Sequence, residues 1–507
     1  MYRRIFMSCF LIVFLIVPVL TQAAITKGPY LIKPGQTSMT VMWESDTSEE
    51  AVFQYGPNAD MEYSLPVTPL AKKNDLYLYQ APLENLKTDI KYFYQIKMSE
   101  LKTRIFRFHT APPPGRPLDF VAIGDSRTGH EINRSISDMI LDLDPELVIN
   151  MGDLVQTGGK FEQWGPHYFE PAAEVMDHIP LISTLGDHDT QVDNGENFQY
   201  YLRPASSAEK LWFSYDFGPA HFVSLDYRGE DDPEMMAWFE EDMAASKAEW
   251  KFVYLHRPSY NLGGHRTNWG AGRWPALYRK HKVDIVFAGH SHMYERFYPM
   301  RPKEQPDAWP VTYITTGGAG AGLYDAVQDD YLAVSRSVNH LMYLKINGDT
   351  LASVTLLLDG SLIDRFQMIK KDGRYDPVYL QLVKDQDLMD VQMLLASELE
   401  IHFDQIPTLD NPAVKELTLE SNAISGKTKI DIQLAPQSMD FYKMKPVQGV
   451  LEKGKPFSAA LRIYARQPLT VKGRYFDPPL YLNARFQNGG KEGVAIGREC
   501  RYYPQEE

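Results

Sequence analysis

Five stretches in the middle of the chain end in the same way. A short apolar run is followed at once, or after one glycine, by aspartate or histidine: Gly124-Asp125, Gly152-Asp153, Gly186-Asp187-His188-Asp189, His256 directly after Leu255, and Gly289-His290-Ser291-His292. Carboxylates and imidazoles are the donors that hard and borderline metal ions prefer, and with only two cysteines in 507 residues no thiolate set competes for the role. Each piece alone has a plainer reading. An aspartate after a buried strand commonly caps the next helix, and a lone histidine is more often a hydrogen-bonded core residue than a ligand. His290 and His292 say more, because residues i and i+2 of an extended chain point the same way. Five such endings within one region outweigh the plainer readings.

The elements that must position these residues are legible around them. Residues 119–123, 146–150, 180–185, 221–225, 251–255, 283–288 and 311–315 are short, apolar and β-branched, the pattern of strands buried on both faces. Residues 132–143, 233–248 and 273–281 carry helical spacing. Together they predict a layered α/β domain over residues 118–370. In such sheets, ligand sites form at the carboxyl ends of the strands, where each strand delivers a side chain to a common point. Glycines there let the backbone turn sharply.

The flanks read differently. From residue 24 to 113, alternating segments at 38–43, 51–55, 77–81, 91–97 and 104–108 are separated by Gly, Pro and Asn, which predicts a small antiparallel sandwich. The run Ala111-Pro112-Pro113-Pro114-Gly115-Arg116-Pro117 resists helix and sheet and reads as a linker. Beyond residue 370, alternation returns at 429–434, 458–465, 469–476 and 480–486, so residues 371–507 are expected to form a second β-rich domain without a chemical motif of its own.

At the start, Arg3 and Arg4 precede an apolar run over 10–20 and small residues at Thr21, Ala23 and Ala24, the layout of a secretory leader over residues 1–23. The run is shorter than the roughly 20 residues of a spanning helix, so an exported protein, periplasmic or extracellular and with no membrane span after processing, is expected. Cys9 would leave with the leader, and Cys500 alone cannot form an intrachain disulfide. The net charge of −14 argues against a nucleic-acid surface. It also repels anionic substrates at long range, so a site handling phosphate would need local positive charge, which metal ions supply.

Read in order, the motifs resemble those of the calcineurin-like metallophosphoesterases, and within them the purple acid phosphatase branch. Gly289-His290-Ser291-His292-Met293-Tyr294-Glu295-Arg296 is similar to that branch's most specific motif. Ser38-Met39-Thr40-Val41-Met42-Trp43-Glu44 and Phe108-His109-Thr110 resemble its N-terminal fibronectin type III-like domain. The resemblance covers residues 26–363. It implies a central four-layer αββα sandwich behind the fibronectin type III-like unit, which together with the β-sandwich read from alternation beyond residue 370 gives two flanking all-β sandwich domains. It also implies two metal ions, divalent or of mixed valence, drawn from zinc, manganese and iron. One ion would be held by Asp125, Asp153 and His292, and the second by Asp153, Asp187, His256 and His290, with Asp153 bridging.

By the same resemblance, His188 contacts the phosphate and protonates the leaving oxygen. His265, nine residues after His256, falls where the branch often has another substrate-facing histidine, with an exposed loop residue as the equal alternative. The expected reaction is hydrolysis of a small phosphate monoester by direct attack of metal-bound hydroxide, since two cations roughly 3.5 to 4 Å apart clamp a phosphoryl group and acidify water. The alternatives are a phosphodiester or nucleotide substrate at the same site, and a surface protein that has lost catalysis.

Three positions depart from the branch. Gln156 stands where its metal-binding tyrosine would be, which predicts a colourless protein with less preference for ferric iron. Asp187 replaces an asparagine, adding negative charge beside the metals. Arg127 follows Asp125 by two residues, where wider relatives carry Gly or a ligating His. A guanidinium cannot ligate a cation but donates well to phosphate, so a substrate contact is expected over a structural ion pair.

Overall fold

The computed structural model of the chain describes residues 24–202, 210–420 and 426–504. The expected leader lies outside them. Among the described residues no helix is long and apolar enough to cross a membrane.

The centre of the molecule is built on two seven-stranded sheets. The first runs in the order Leu181–Ser183, Leu147–Asn150, Leu118–Ile123, His340–Asn347, Thr350–Leu357, Leu362–Lys371 and Arg374–Tyr375. The second runs Phe213–Phe217, Ala220–Ser224, Trp250–Leu255, Ile285–Ala288, Thr312–Thr316, Tyr294–Phe297 and Leu332–Arg336. Side-chain alternation explains why the predicted strands carry apolar residues on both faces. In Leu118–Ile123, Phe120 and Ala122 face a core shared with the second sheet, while Val121 and Ile123 face the other way.

Phe120, Phe222, Phe252 and Phe287 fill that shared core. Phe120 meets Phe222 edge-on at 5.4 Å and lies tilted against Phe252, also at 5.4 Å, the geometry that ring quadrupoles favour. On the outer face of the first sheet, Ile136 and Ile140 of helix His130–Leu143 pack on Val121 and Val148. On the outer face of the second, Met235, Phe239 and Met243 of helix Pro233–Ala245 pack on Val223 and Val253. That helix begins where Asp232 caps the amides of Glu234 and Met235 and Pro233 stands at its first position.

The N-terminal residues form a four-stranded and a five-stranded antiparallel sheet around Trp43, Phe53, Tyr79 and Tyr94. Tyr30, Ile32, Met42 and Leu78 leave that unit's own core and join the outer core of the first central sheet. Three small sheets build the region around Ile432, Leu461, Leu482 and Phe486. Two helices that alternation did not foretell, Pro377–Gln381 and Gln386–Glu398, precede it. The second helix is buried on two sides: Met389 and Met393 enter the outer core of the second central sheet, while Val391 and Leu395 enter the C-terminal core. With both faces apolar it lacks the one-sided stripe that marks a surface helix.

Candidate metal centre

The donors meet because neighbouring parallel strands end level with one another. Ile123 pairs with Asn150, Asn150 with Ser183, and Leu255 with Ala288, so the residues that follow emerge along one rim. Asp125, Asp153 and His290 there adopt φ of +61°, +58° and +67°, a left-handed conformation that costs a non-glycine residue on the order of 1 kcal/mol or more. Hydrogen bonds hold each one in place. The amide of Asp125 donates to the Gly152 carbonyl at 3.0 Å, that of Asp153 to Asp189 Oδ2 at 2.9 Å, and that of His290 to Asp125 Oδ2 at 2.8 Å. Two glycines are fixed by space as much as by conformation. A Cβ on Gly152, whose φ is +85°, would lie 2.7 Å from the Gly186 nitrogen, and one on Gly289 would lie 2.5 Å from Asp125 Oδ2.

Two donor groups result. Asp125, Asp153 and His292 place ligand atoms within 4.8 Å of one another, and so do Asp187, His256 and His290. Asp153 Oδ1 lies 3.3 Å from His256 Nε2 and joins the two groups. Backbone carbonyls fix the imidazoles: His256 Nδ1 donates to Met151 O at 2.7 Å and His292 Nδ1 to Gly322 O at 2.6 Å, leaving Nε2 of each turned toward the carboxylates. Asp125 Oδ1 is buried without a hydrogen-bond partner. A buried carboxylate oxygen without a hydrogen-bond donor beside an imidazole has the chemistry of a cation ligand, and oxygen and nitrogen donors in two linked sets fit a pair of divalent ions.

Electrostatics agree with that fit. Burial alone would raise the Asp187 carboxyl, but His256 and His290 hold it far below the carboxylate range. Burial would likewise lower His256, but Asp153, Asp187 and Asp125 push it up to about 10. A bound cation takes the place of such a proton.

The remaining predicted residues are placed as follows. His188 donates its amide to Asp153 Oδ1 at 2.9 Å, and its Nδ1 faces the Gln156 carbonyl at 2.8 Å, so Nε2 is the ring atom left for other partners. His265 is exposed and stacks on His290 at 4.2 Å between ring centroids. Desolvation and the neighbouring His290 and His292 push it down to about 3. Arg127, expected to face substrate, instead turns inward as an ion pair: Nε donates to Asp153 Oδ2 at 2.9 Å and Nη2 to His292 Nε2 at 3.1 Å. Gln156, standing for a tyrosine, has its side-chain oxygen 3.5 Å from Arg127 Nη1.

Several residues had no role in the sequence reading. Asp189 is fully buried and accepts from the amides of Asp153, Leu154, Val155 and Gly186 at 2.8 to 3.2 Å. Burial and the charge of Asp153 push its carboxyl up to about 7. Glu295 accepts from Asn261 Nδ2 and from the amides of Leu262 and Gly263, fixing the loop that carries His265. Tyr324 stacks on His292 at 4.5 Å. Arg257 lies over the Tyr227 ring with Nη2 3.7 Å from Asp187 Oδ2. Only the repeated acid in Gly186-Asp187-His188-Asp189 and the Glu within His292-Met293-Tyr294-Glu295-Arg296 hinted at any of these.

Residues 118–294 match the family model described as Calcineurin-like phosphoesterase. The chain carries a calcineurin-like phosphoesterase domain. Among curated proteins, it is 28% identical over 364 residues to the phosphoenolpyruvate phosphatase of Allium cepa, covering 62% of this chain and 74% of that one. It is 29% identical over 261 residues to purple acid phosphatase 23 of Arabidopsis thaliana, covering 42% and 55%. The chain thus spans about half the length of several of these relatives. Among solved structures, the purple acid phosphatase PPD1 from yellow lupin (Lupinus luteus) seeds aligns with a TM-score of 0.61 at 20% identity, over 70% of this chain and 76% of that one. All five strand ends and both donor groups lie within the matched phosphoesterase domain.

Proposed function

We propose that this chain is a dinuclear metal-dependent hydrolase of phosphate monoesters. The observation that carries the proposal is the meeting of two three-residue donor groups at Asp153, with the buried Asp125 Oδ1 still lacking a partner. Bound there, two divalent ions would supply Lewis acidity and lower the pKa of water toward neutrality. The names of the relatives, phosphoenolpyruvate phosphatase and purple acid phosphatase, favour small phosphorylated substrates.

The chain's own residues then have distinct tasks. Asp125 and Asp153, with His292, hold one end of the centre, and Asp187, His256 and His290 hold the other. His188 Nδ1 is committed to the Gln156 carbonyl, so Nε2 is the atom that holds a proton for the leaving oxygen. Arg257 is 41% exposed in its side chain and carries positive charge at the mouth beside Asp187, where a phosphate oxygen would accept from it. His265, exposed but stacked on His290 and pushed down to about 3 by desolvation and its imidazole neighbours, lines the same mouth. With Gln156 in the tyrosine position, the loaded protein carries no phenolate ligand and is colourless.

The fold supports an αββα arrangement of the two central sheets and their outer helices, with a fibronectin type III-like unit before it and a β-rich unit after it. The leader pattern supports export. The test compares p-nitrophenyl phosphate with bis(p-nitrophenyl) phosphate on the zinc- or manganese-reconstituted protein. The expected outcome is faster turnover of the monoester, abolished by chelation and restored by metal. Faster turnover of the diester would move the substrate class, and no turnover of either ester with any metal would contradict the proposal.

A further inference from the structure

We infer that Arg127 is a built-in competitor for one of the two metal ions, so that the halves of the centre bind metal with unequal affinity. The inference rests on the dinuclear reading above and goes beyond it by assigning the inequality to one side chain.

The guanidinium lies inside the donor set. Its Nε donates to Asp153 Oδ2 at 2.9 Å, and its Nη2 lies 3.1 Å from His292 Nε2. Because His292 Nδ1 faces a carbonyl, which can only accept, the neutral ring presents its lone pair at Nε2. That lone pair is the one a metal would use, so Arg127 holds the ligating nitrogen of His292 and one of the two oxygens of Asp153. Asp125 Oδ1, 3.5 Å from His292 Nε2, and Asp153 Oδ1, 3.3 Å from His256 Nε2, are carboxylate oxygens that Arg127 does not touch. The guanidinium is nearly buried, at 11% side-chain exposure, and Gln156 stands beside Nη1 in the place where the branch pattern has a tyrosine. A permanently charged group cannot lose its proton to make way for a cation. It must leave, or stay and repel the incoming ion at close range and low screening.

Among the described residues, no guanidinium stands within hydrogen-bond distance of the donors of the other half. Asp187, His256 and His290 face one another directly, and the guanidinium of Arg257 stands off at 3.7 Å from Asp187 Oδ2 on the exposed side. Arg116 shows the same behaviour elsewhere in the chain: it fills a second gathering of donors by pairing with both Asp89 and Glu146 next to His109.

The experiment strips the full chain with chelator, titrates it with zinc by calorimetry, and measures metal per chain after desalting. The wild type is expected to keep one zinc and to bind a second at least about tenfold more weakly. Arg127→Met, which keeps the stem and removes the charge, is expected to tighten the second step by at least about tenfold and to retain two ions, while Arg127→Lys stays unequal. Melting curves show whether each variant is folded, and the wild-type titration alone tests the inequality if a variant is not. Two ions held with equal affinity by the wild type, or a second step unmoved by Arg127→Met, would overturn the inference and leave the dinuclear reading standing. Failure of every folded protein to retain any zinc would overturn both.

Discussion

The rim of the central sheets and the C-terminal sandwich both need tight turns at strand ends, and they meet that need with different residues. In the C-terminal region, the left-handed positions are Gly426, Gly454, Gly473, Gly489 and Gly490, and no other residue type takes that conformation among the described residues beyond 400. A Cβ at Gly473, Gly489 or Gly490 would meet nothing within 4 Å. Those glycines therefore serve backbone conformation alone. On the rim, Asp125, Asp153 and His290 accept the same strained conformation with full side chains, while the glycines beside them are hemmed in by neighbouring backbone and carboxylate atoms. Between these two regions, the left-handed conformation falls on donor-bearing residues at the rim and on glycines in the C-terminal turns, while N-terminal turns place Lys33, Asn74, Asp75 and Ser99 in it without a donor to aim.

Breaking the rim should have the largest effect. Asp153 belongs to one donor group and touches the other, so Asp153→Ala is expected to lower phosphatase turnover on the order of a thousandfold, with elemental analysis showing loss of both metals. Wild-type metal content in that variant would remove Asp153 from the centre. His188→Ala should spare the metals and lower kcat about a hundredfold. The loss should be larger for an alkyl phosphate than for p-nitrophenyl phosphate, whose leaving oxygen needs no proton. An equal loss on both substrates would remove the acid role.

A histidine away from the rim sharpens the contrast. His221 has Asp216 at Nδ1, 2.7 Å away, and Asp242 at Nε2, 2.9 Å away, so neither ring nitrogen is free to ligate. Burial would lower it, but the two carboxylates raise it to about 9. A folded-state pKa above the unfolded value near 6.5 stabilises fully below that pH and is lost as pH rises through about 9. The contribution is on the order of 2 kcal/mol after screening at exposed Asp216. His221→Gln should accordingly flatten the decline in melting temperature between pH 6.5 and 9, and an unchanged slope would contradict this. The smallest effect is expected from Gly473→Ala, about 1 kcal/mol of stability through its φ of +64°. Turnover and metal content should not change. A loss of activity there would mean that the C-terminal region acts on the site.

What could be read in the sequence follows the same division. The strands before Asp125, Asp153, Asp187, His256 and His290 are mostly apolar on both faces because both faces are buried, and that pattern is local. The donors stand directly after those strands, so their gathering was legible too. Arg127 was not legible in the same way. Its type says that it donates to an anion, but whether that anion is substrate phosphate or Asp153 depends on rotamers and on the space beside Gln156. Asp189 and Glu295 act through backbone amides brought to them by the fold, which leaves little local signature. Helix Gln386–Glu398 escaped detection because Met389 and Met393 face one core and Val391 and Leu395 another, which erases the one-sided period.

Anomalous diffraction from crystals soaked in excess zinc tests the central claim most directly. The account predicts two peaks flanking Asp153, one against Asp125 and His292 and the other against Asp187, His256 and His290. Peaks elsewhere on the chain, or none at the rim under saturating zinc, would contradict it.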